Sequence, residues 1–164
     1  MINKKMQSAL NGQINKEMFS AYLYLAMAAR AESLVLKGTA NWFTVQAQEE
    51  MGHAMRIYKY LLDQGATVEL EAIAKPPADF RSMLDMFEAA LKHEKIVTKS
   101  IQGLTALAAA EKDPATQIFL QWFITEQVEE EANAVEIIAK LRMAGSSGGT
   151  ILMLDKGLAK RELA

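Results

Sequence analysis

Four segments of the chain read as amphipathic helices, and each places a carboxylate inside its apolar stripe. In the first, Leu10, Ile14, Glu17, Ala21, Tyr24 and Ala28 recur every three or four residues, the spacing that aligns side chains on one helix face. The second reads Phe43, Ala47, Glu50, His53 or Ala54, Ile57 and Leu61. Phe87, Leu91, Glu94, Val97, Ile101 and Leu104 form the third, and Phe119, Phe123, Glu126, Glu130, Asn133, Ile137 and Leu141 the fourth. A lone helical glutamate is ordinarily solvated. Four that share the phase of four apolar stripes converge on one core, where an unpaired ionised carboxylate is expensive. No Lys or Arg stands in the stripes to compensate, so the pattern calls for metal cations.

At 164 residues the chain fits a single domain able to bury a core without cross-links. Cysteine is absent, which excludes disulfides, thiolate zinc sites and iron–sulfur clusters. The net charge of -2 is spread along the chain, and no basic block suggests nucleic acid or an acidic membrane surface as a partner. No run approaches the ~20 apolar residues of a membrane span. The start, Met1 to Met6, is basic but leads into amphipathic helix and not into a cleavable leader, so the expected location is cytoplasmic. Abundant Ala and Met with only three prolines favour an all-α protein.

The first helix is expected from about Asn3 to Ser33, with Gly38 as a turn residue. Thr39 or Asn41 then caps a second helix that continues to Gly65. Helical periodicity fails between Ala66 and Asp79, where Pro76-Pro77 forbids helix. That link is long enough to run the length of the bundle and start the third helix parallel to the second. Asp79 or Ser82 caps the third helix, and Lys112-Asp113-Pro114 ends it and opens the fourth with Pro114 in first position. The bundle then covers about 3–144 of a single domain 1–164, and Gly145 to Gly149 form a flexible break before a terminal helix over about 150–161.

An internal repeat relates Trp42-Phe43 through Glu49-Glu50 to Trp122-Phe123 through Glu129-Glu130, with His53 against Asn133 as the visible asymmetry. Glu17 and Glu94 correspond at nearly the same offset. Two helix hairpins each contribute two carboxylates. Glu50 and His53 form the i, i+3 carboxylate–imidazole pair that, with glutamates from other helices, builds dinuclear iron or manganese sites in bundles. Oxygen-rich ligation with one nitrogen suits iron better than copper or a closed zinc site. Tyr24 can hydrogen-bond a ligand carboxylate, donate an electron, or simply fill the core. Gln127, one turn before Glu130, can support the second metal from outside its ligands. Glu49, Glu126 and Glu129 are either a solvated charge run or a third, weaker iron position. His93 is expected at the surface.

These residues resemble the ferritin family, in its non-haem bacterial and archaeal type. The likeness covers nearly the whole chain and rests on Gln13-Ile14-Asn15-Lys16-Glu17, Ser20-Ala21-Tyr22-Leu23-Tyr24, Gln48-Glu49-Glu50-Met51-Gly52-His53-Ala54, and Phe119-Leu120-Gln121-Trp122-Phe123-Ile124-Thr125-Glu126-Gln127-Val128-Glu129-Glu130-Glu131. It implies a ferritin-like four-helix bundle with one long crossover and a short C-terminal fifth helix. It also implies a diiron ferroxidase centre. Glu17, Glu50 and His53 would hold the first iron, and Glu50, Glu94 and Glu130 the second, with Glu50 bridging. Gln127 would lie beside the second iron, and Glu49, Glu126, Glu129 and Glu130 would hold a third. The family oxidises Fe(II) with dioxygen or peroxide and stores ferric mineral inside a homo-oligomeric shell of twenty-four subunits. Residues 151–156 are similar to the short helix that lines the four-fold axis of such shells.

Two features depart from relatives. Ile118 and Gln121 stand where animal ferritins carry the acids of the three-fold channel. Met51 occupies the haem-ligating position of bacterioferritins, but Glu130 replaces their second Glu-x-x-His histidine, which argues against haem. A diiron oxygenase or peroxidase acting on an organic substrate would use the same ligands yet need a pocket beside them. A purely structural bundle would leave the in-phase acids to bind protons.

Overall fold

The computed structural model describes residues 2–163; Met1 and Ala164, included above in the single domain, lie outside the described residues. Five helices follow in order: α1 (Lys4–Ser33), α2 (Lys37–Asp63), α3 (Met83–Ala110), α4 (Pro114–Ala144) and α5 (Gly148–Leu158). No strand occurs among the described residues. Most helix starts follow local chemistry. Asn3, Ser82, Asp113 and Ser147 each accept from the backbone N–H three residues on, which satisfies one orphan donor per helix. Pro114 sits in the first turn of α4.

The start of α2 differs from expectation. The helix begins at Lys37, and Leu36 in the cap position supplies no side-chain acceptor. The turn assigned to Gly38 is made by Val35, at φ 61°. Thr39 and Asn41 fall inside the helix, and the cap comes from 117 residues away. The buried Asp155 of α5 accepts from the Gly38 N–H at 3.0 Å, the Thr39 N–H at 2.7 Å and the Thr39 hydroxyl at 2.7 Å. A carboxylate there satisfies orphan donors and complements the helix dipole. Gly38 is required for the approach, since a Cβ would stand 1.7 Å from the Asp155 carbonyl oxygen.

The terminal helix also shifts. Gly148 and Gly149 belong to the first turn of α5 and not to a hinge, and the chain changes direction at Gly145 (φ 55°, ψ -127°). Ile151, Leu154 and Leu158 pack on the bundle, whereas Leu152 and Met153 remain 60% and 76% exposed.

The crossover, residues 64–82, is bonded along α1. Asn11 Nδ2 donates to the Thr67 carbonyl at 3.0 Å and its Oδ1 accepts from the Glu69 N–H at 2.9 Å. Asn15 reaches the Ala72 carbonyl at 3.2 Å, and Arg30 Nε the Phe80 carbonyl at 2.7 Å. The link therefore travels with α1, and α3 returns antiparallel to it, with Tyr24 meeting Glu94, Gln13 meeting Ser100 and Lys5 meeting Glu111. Because α1 and α2 form a hairpin, α3 runs parallel to α2, as the length of the link predicts.

The apolar core is in two parts. One contains Tyr24, Met27, Phe43, Phe87 and Leu141. The other contains Leu10, Ile14, Ile57, Leu61, Ile101, Leu120 and Phe123. Glu17, Glu50, Glu94 and Glu130 are buried between them.

Gly38→Ala should undock α5 while sparing the four-helix body. The expected cost is about 1–2 kcal/mol, the range for losing a helix cap. Hydrogen–deuterium exchange checks it: protection over 148–158 should fall while that of α1, α3 and α4 persists, and unchanged protection of α5 would refute the contact's importance.

Candidate metal centre

Each helix of the bundle brings one acid to the layer: Glu17 from α1, Glu50 from α2, Glu94 from α3 and Glu130 from α4, all buried, with buried His53 one turn after Glu50. His53 Nδ1 lies 3.4 Å from Glu50 Oε2. Glu17, Glu50 and His53 offer ligand atoms within 4.8 Å of one another, and so do His53, Glu126 and Glu130. His53 joins the two groups, with Nε2 3.9 Å from Glu126 Oε1. Glu94 belongs to neither group. Its Oε1 accepts from the Tyr24 hydroxyl and its Oε2 from Gln127 Nε2 at 3.0 Å. Of the other acids expected at a third position, Glu49 pairs with Arg161 and Glu129 is exposed.

Two buried amides do work that the sequence reading missed. Gln46 Nε2 donates to Glu50 Oε1 at 3.1 Å and to Glu130 Oε2 at 2.8 Å, tying α2 to α4. Gln13 Nε2 donates to Glu17 Oε1 at 2.8 Å. Both stand four residues before their glutamate and so on the same helix face, a repeated spacing that sequence alone displays. The groups that orient Gln13 and Gln127 have no such signal. Lys16 Nζ donates to Ser100 Oγ at 2.7 Å, and Ser100 donates to Gln13 Oε1 at 2.6 Å. An ammonium has only donors, so the serine proton goes to the amide oxygen and the Gln13 NH2 must face Glu17. On the other side Thr98 donates to Glu131 at 2.6 Å and accepts from Gln127 at 3.2 Å. Two hydroxyls of α3 thus set two amides, each bonded to one carboxylate.

His93 is half-buried, contrary to expectation, because its ring packs beside Phe19 and Tyr24 and its Nε2 lies 2.7 Å from Ser20 Oγ. Burial lowers its pKa to about 4. It enters neither ligand group.

Burial dominates the electrostatics of the layer. It raises the Glu17 pKa to about 8, assisted by the Glu50 charge. It also raises Glu130 to about 7, with Glu94 adding repulsion. Glu50 is pushed well above the carboxylate range by burial and then by Glu94 and Glu130. Glu94 is raised by burial against the opposing bonds from Tyr24 and Gln127. The layer therefore holds protons at neutral pH, each replaceable by a cation. Two side-chain oxygens stay unsatisfied within it: Glu17 Oε2 and Gln46 Oε1 are buried with no donor. Several carboxylate oxygens, one imidazole and an orphaned oxygen form a donor set suited to a hard divalent ion such as Fe(II).

A ferritin-like domain model matches residues 7–144 of the chain. The bacterial non-heme ferritin of Bacteroides fragilis (strain 638R) is 42% identical over 161 residues, 98% of this chain and 100% of its own. That of Staphylococcus aureus (strain MRSA252) is 40% identical, over 98% of this chain and 97% of its own. Among solved structures, a form of Archaeoglobus fulgidus ferritin closed by site-directed mutagenesis is 48% identical, covers 100% of both chains and superposes with a TM-score of 0.99. The open-pore ferritin of the same archaeon is 48% identical, with a TM-score of 0.98 over 99% of this chain and 100% of its own.

The raised carboxylates make the metal-free protein sensitive to alkaline pH. Above pH 6.5 the glutamates of the unfolded chain are ionised, whereas Glu17 and Glu130 keep protons until about 8 and about 7 in the fold. Folding then takes up protons, so stability falls as pH rises and levels off above the folded pKa values. His93 acts in the opposite sense, but only below its unfolded pKa of about 6.5. Between pH 6.5 and 8.5 the metal-free protein should lose on the order of 2–3 kcal/mol. Calorimetry should show a falling melting temperature, with a shallower slope in Glu17→Gln; a flat profile would contradict the protonated layer.

Proposed function

The chain belongs to the ferritin family, and from that membership and the carboxylate layer we propose that it stores iron, oxidising Fe(II) at a dinuclear site and keeping the ferric product inside a homo-oligomeric shell. The observation that carries the reading is Glu17 Oε2, a buried acceptor without a donor, in a group whose three members offer ligand atoms within 4.8 Å of one another.

Iron is the substrate. The first Fe(II) takes Glu17, Glu50 and His53; the second takes Glu50, Glu94 and Glu130, with Glu50 shared. For Glu94 to ligate, one of its oxygens exchanges a hydrogen bond from Tyr24 or Gln127 for the ion. Gln13 and Gln46 hold their carboxylates in place as protons leave. Two Fe(II) ions side by side supply two electrons together, enough with two protons to reduce dioxygen to hydrogen peroxide, or hydrogen peroxide to water. Tyr24, bonded to Glu94, is placed to give a further electron. Glu126, beside His53 and Glu130, belongs with Glu49 and Glu129 to a third position at the rim.

Assembly into a shell of twenty-four copies accounts for the surface of α5, where neighbouring copies would cover Leu152 and Met153. No described helix is long and apolar enough to cross a membrane. An oxygenase working on an organic molecule is less well supported. A cavity of about 530 Å³ is lined by Glu88, Leu91, Lys92, Lys95, Val135, Ile138, Ala139 and Arg142, none of them a proposed ligand.

Aerobic addition of Fe(II) tests the function: storage keeps many irons per chain soluble, whereas an oxygenase stops near two and a structural bundle does not accelerate oxidation. In anaerobic titration Glu50→Ala should lose both tight ions, while Glu17→Ala and His53→Ala should each lose one. Two tight ions retained in Glu50→Ala would overturn the ligand assignment. Fe(II) binding near pH 7 should also release protons, because cations displace those held by the layer; binding without proton release would count against it.

A further inference from the structure

Glu49 lies next to Glu50 and enters neither ligand group, but it stands near enough to His53 and Glu126 to feel their charge and reaches the segment that follows α5. There it is paired with Arg161. The two side chains are only 20% and 18% exposed, so the pair is screened less than one at the surface. Arg161 is held from further directions. Its guanidinium carbon stands 4.1 Å over the Trp42 ring, a cation–π contact. Its carbonyl accepts from Asn41 Nδ2 at 3.0 Å, and the preceding helix is fastened to α2 through Asp155. Its charge opposes the effect of burial on Glu49 and also lowers the pKa of Glu130, so it reaches the rim of the metal centre. Beside it, Trp42, Asn133, Glu136, Ile137 and Arg161 line a cavity of about 300 Å³, which offers the guanidinium another place, beside a carboxylate, Glu136, that is paired with Lys140.

We propose that Arg161 is the resident cation of the third metal position, neutralising Glu49 and excluding an ion there until the guanidinium is displaced. The exchange moves no electron: the Glu49–Arg161 contact breaks, a Glu49–metal contact forms, and the arginine turns into the adjoining cavity. Arg161 is a positioning residue that acts through Glu49, and the docking of α5 sets how firmly it holds. The inference rests on the dinuclear reading above and adds a control on the outer ion.

Anaerobic calorimetric titration of the full-length protein with Fe(II), repeated with Co(II) as an optical probe, tests it. The unaltered chain should bind two ions tightly and a third weakly. Arg161→Ala should tighten the third about tenfold or more and leave the first two unchanged, Arg161→Lys should restore much of the exclusion, and Glu49→Gln should cancel the gain in the Arg161→Ala background. Asp155→Ala, which loosens α5 through a different contact, should tighten the third ion as well. A third-ion affinity that is unchanged or weaker in Arg161→Ala overturns the proposal while the dinuclear reading stands. If the unaltered protein binds no pair of tight ions, the dinuclear reading falls and the proposal with it.

Discussion

Carboxylates buried in a helix bundle cannot all stay ionised without a cation, because desolvation costs each of them more than neighbouring dipoles return. Here Glu17, Glu50, Glu94 and Glu130 occupy one layer between two halves of an apolar core. The rest of the site answers that cost. Gln13, Gln46, Gln127 and Tyr24 donate to the carboxylates, and burial with mutual repulsion keeps protons on Glu17 and Glu130 into the neutral range. The same features leave Glu17 Oε2 unsatisfied. A layer stable only with protons or cations is poised to exchange one for the other.

The two hairpins are related in sequence, and the structure shows where the relation holds and where it breaks. Glu50 and Glu130 both accept from Gln46, while the position related to Gln46 is Glu126, which faces His53. Trp42 and Trp122 correspond, and each carries a guanidinium at about 4 Å, from Arg161 and Arg56 respectively. Glu49 is neutralised by Arg161 whereas its counterpart Glu129 is exposed. The near-symmetric frame converges four acids, and the asymmetric substitutions give the two sides different ligands and different charge.

The helices and the central acids were legible in the sequence because both depend on local period. Apolar residues at three- and four-residue intervals fix a helix face, and an acid in that phase must be buried with it. The length of the crossover let α3 return parallel to α2, and its paired prolines kept the link out of helix. The amides Gln13 and Gln46 stand in the same phase, four residues before Glu17 and Glu50, but that spacing does not by itself say what they bond, and their role emerged only with the fold. The start of α2 was not legible, since its cap is a carboxylate 117 residues away and its turn uses Val35 where glycine would be usual. Gly148 and Gly149 read as a break because glycine disfavours a helix interior, although Ser147 just before them is the local N-cap of α5.

By itself the sequence determined an all-α bundle with one long link and an acidic, histidine-bearing centre, because each of these follows from spacing along one helix or from chain length. Tertiary structure decided which atoms of that centre face one another. It placed Glu94 between Tyr24 and Gln127, oriented Gln13 through Ser100 and Gln127 through Thr98, half-buried His93 against Ser20, and brought Asp155 and Arg161 from the end of the chain to α2. These contacts join residues far apart in sequence, and their directions depend on helix packing and side-chain rotamers, which leave no periodic trace along the chain.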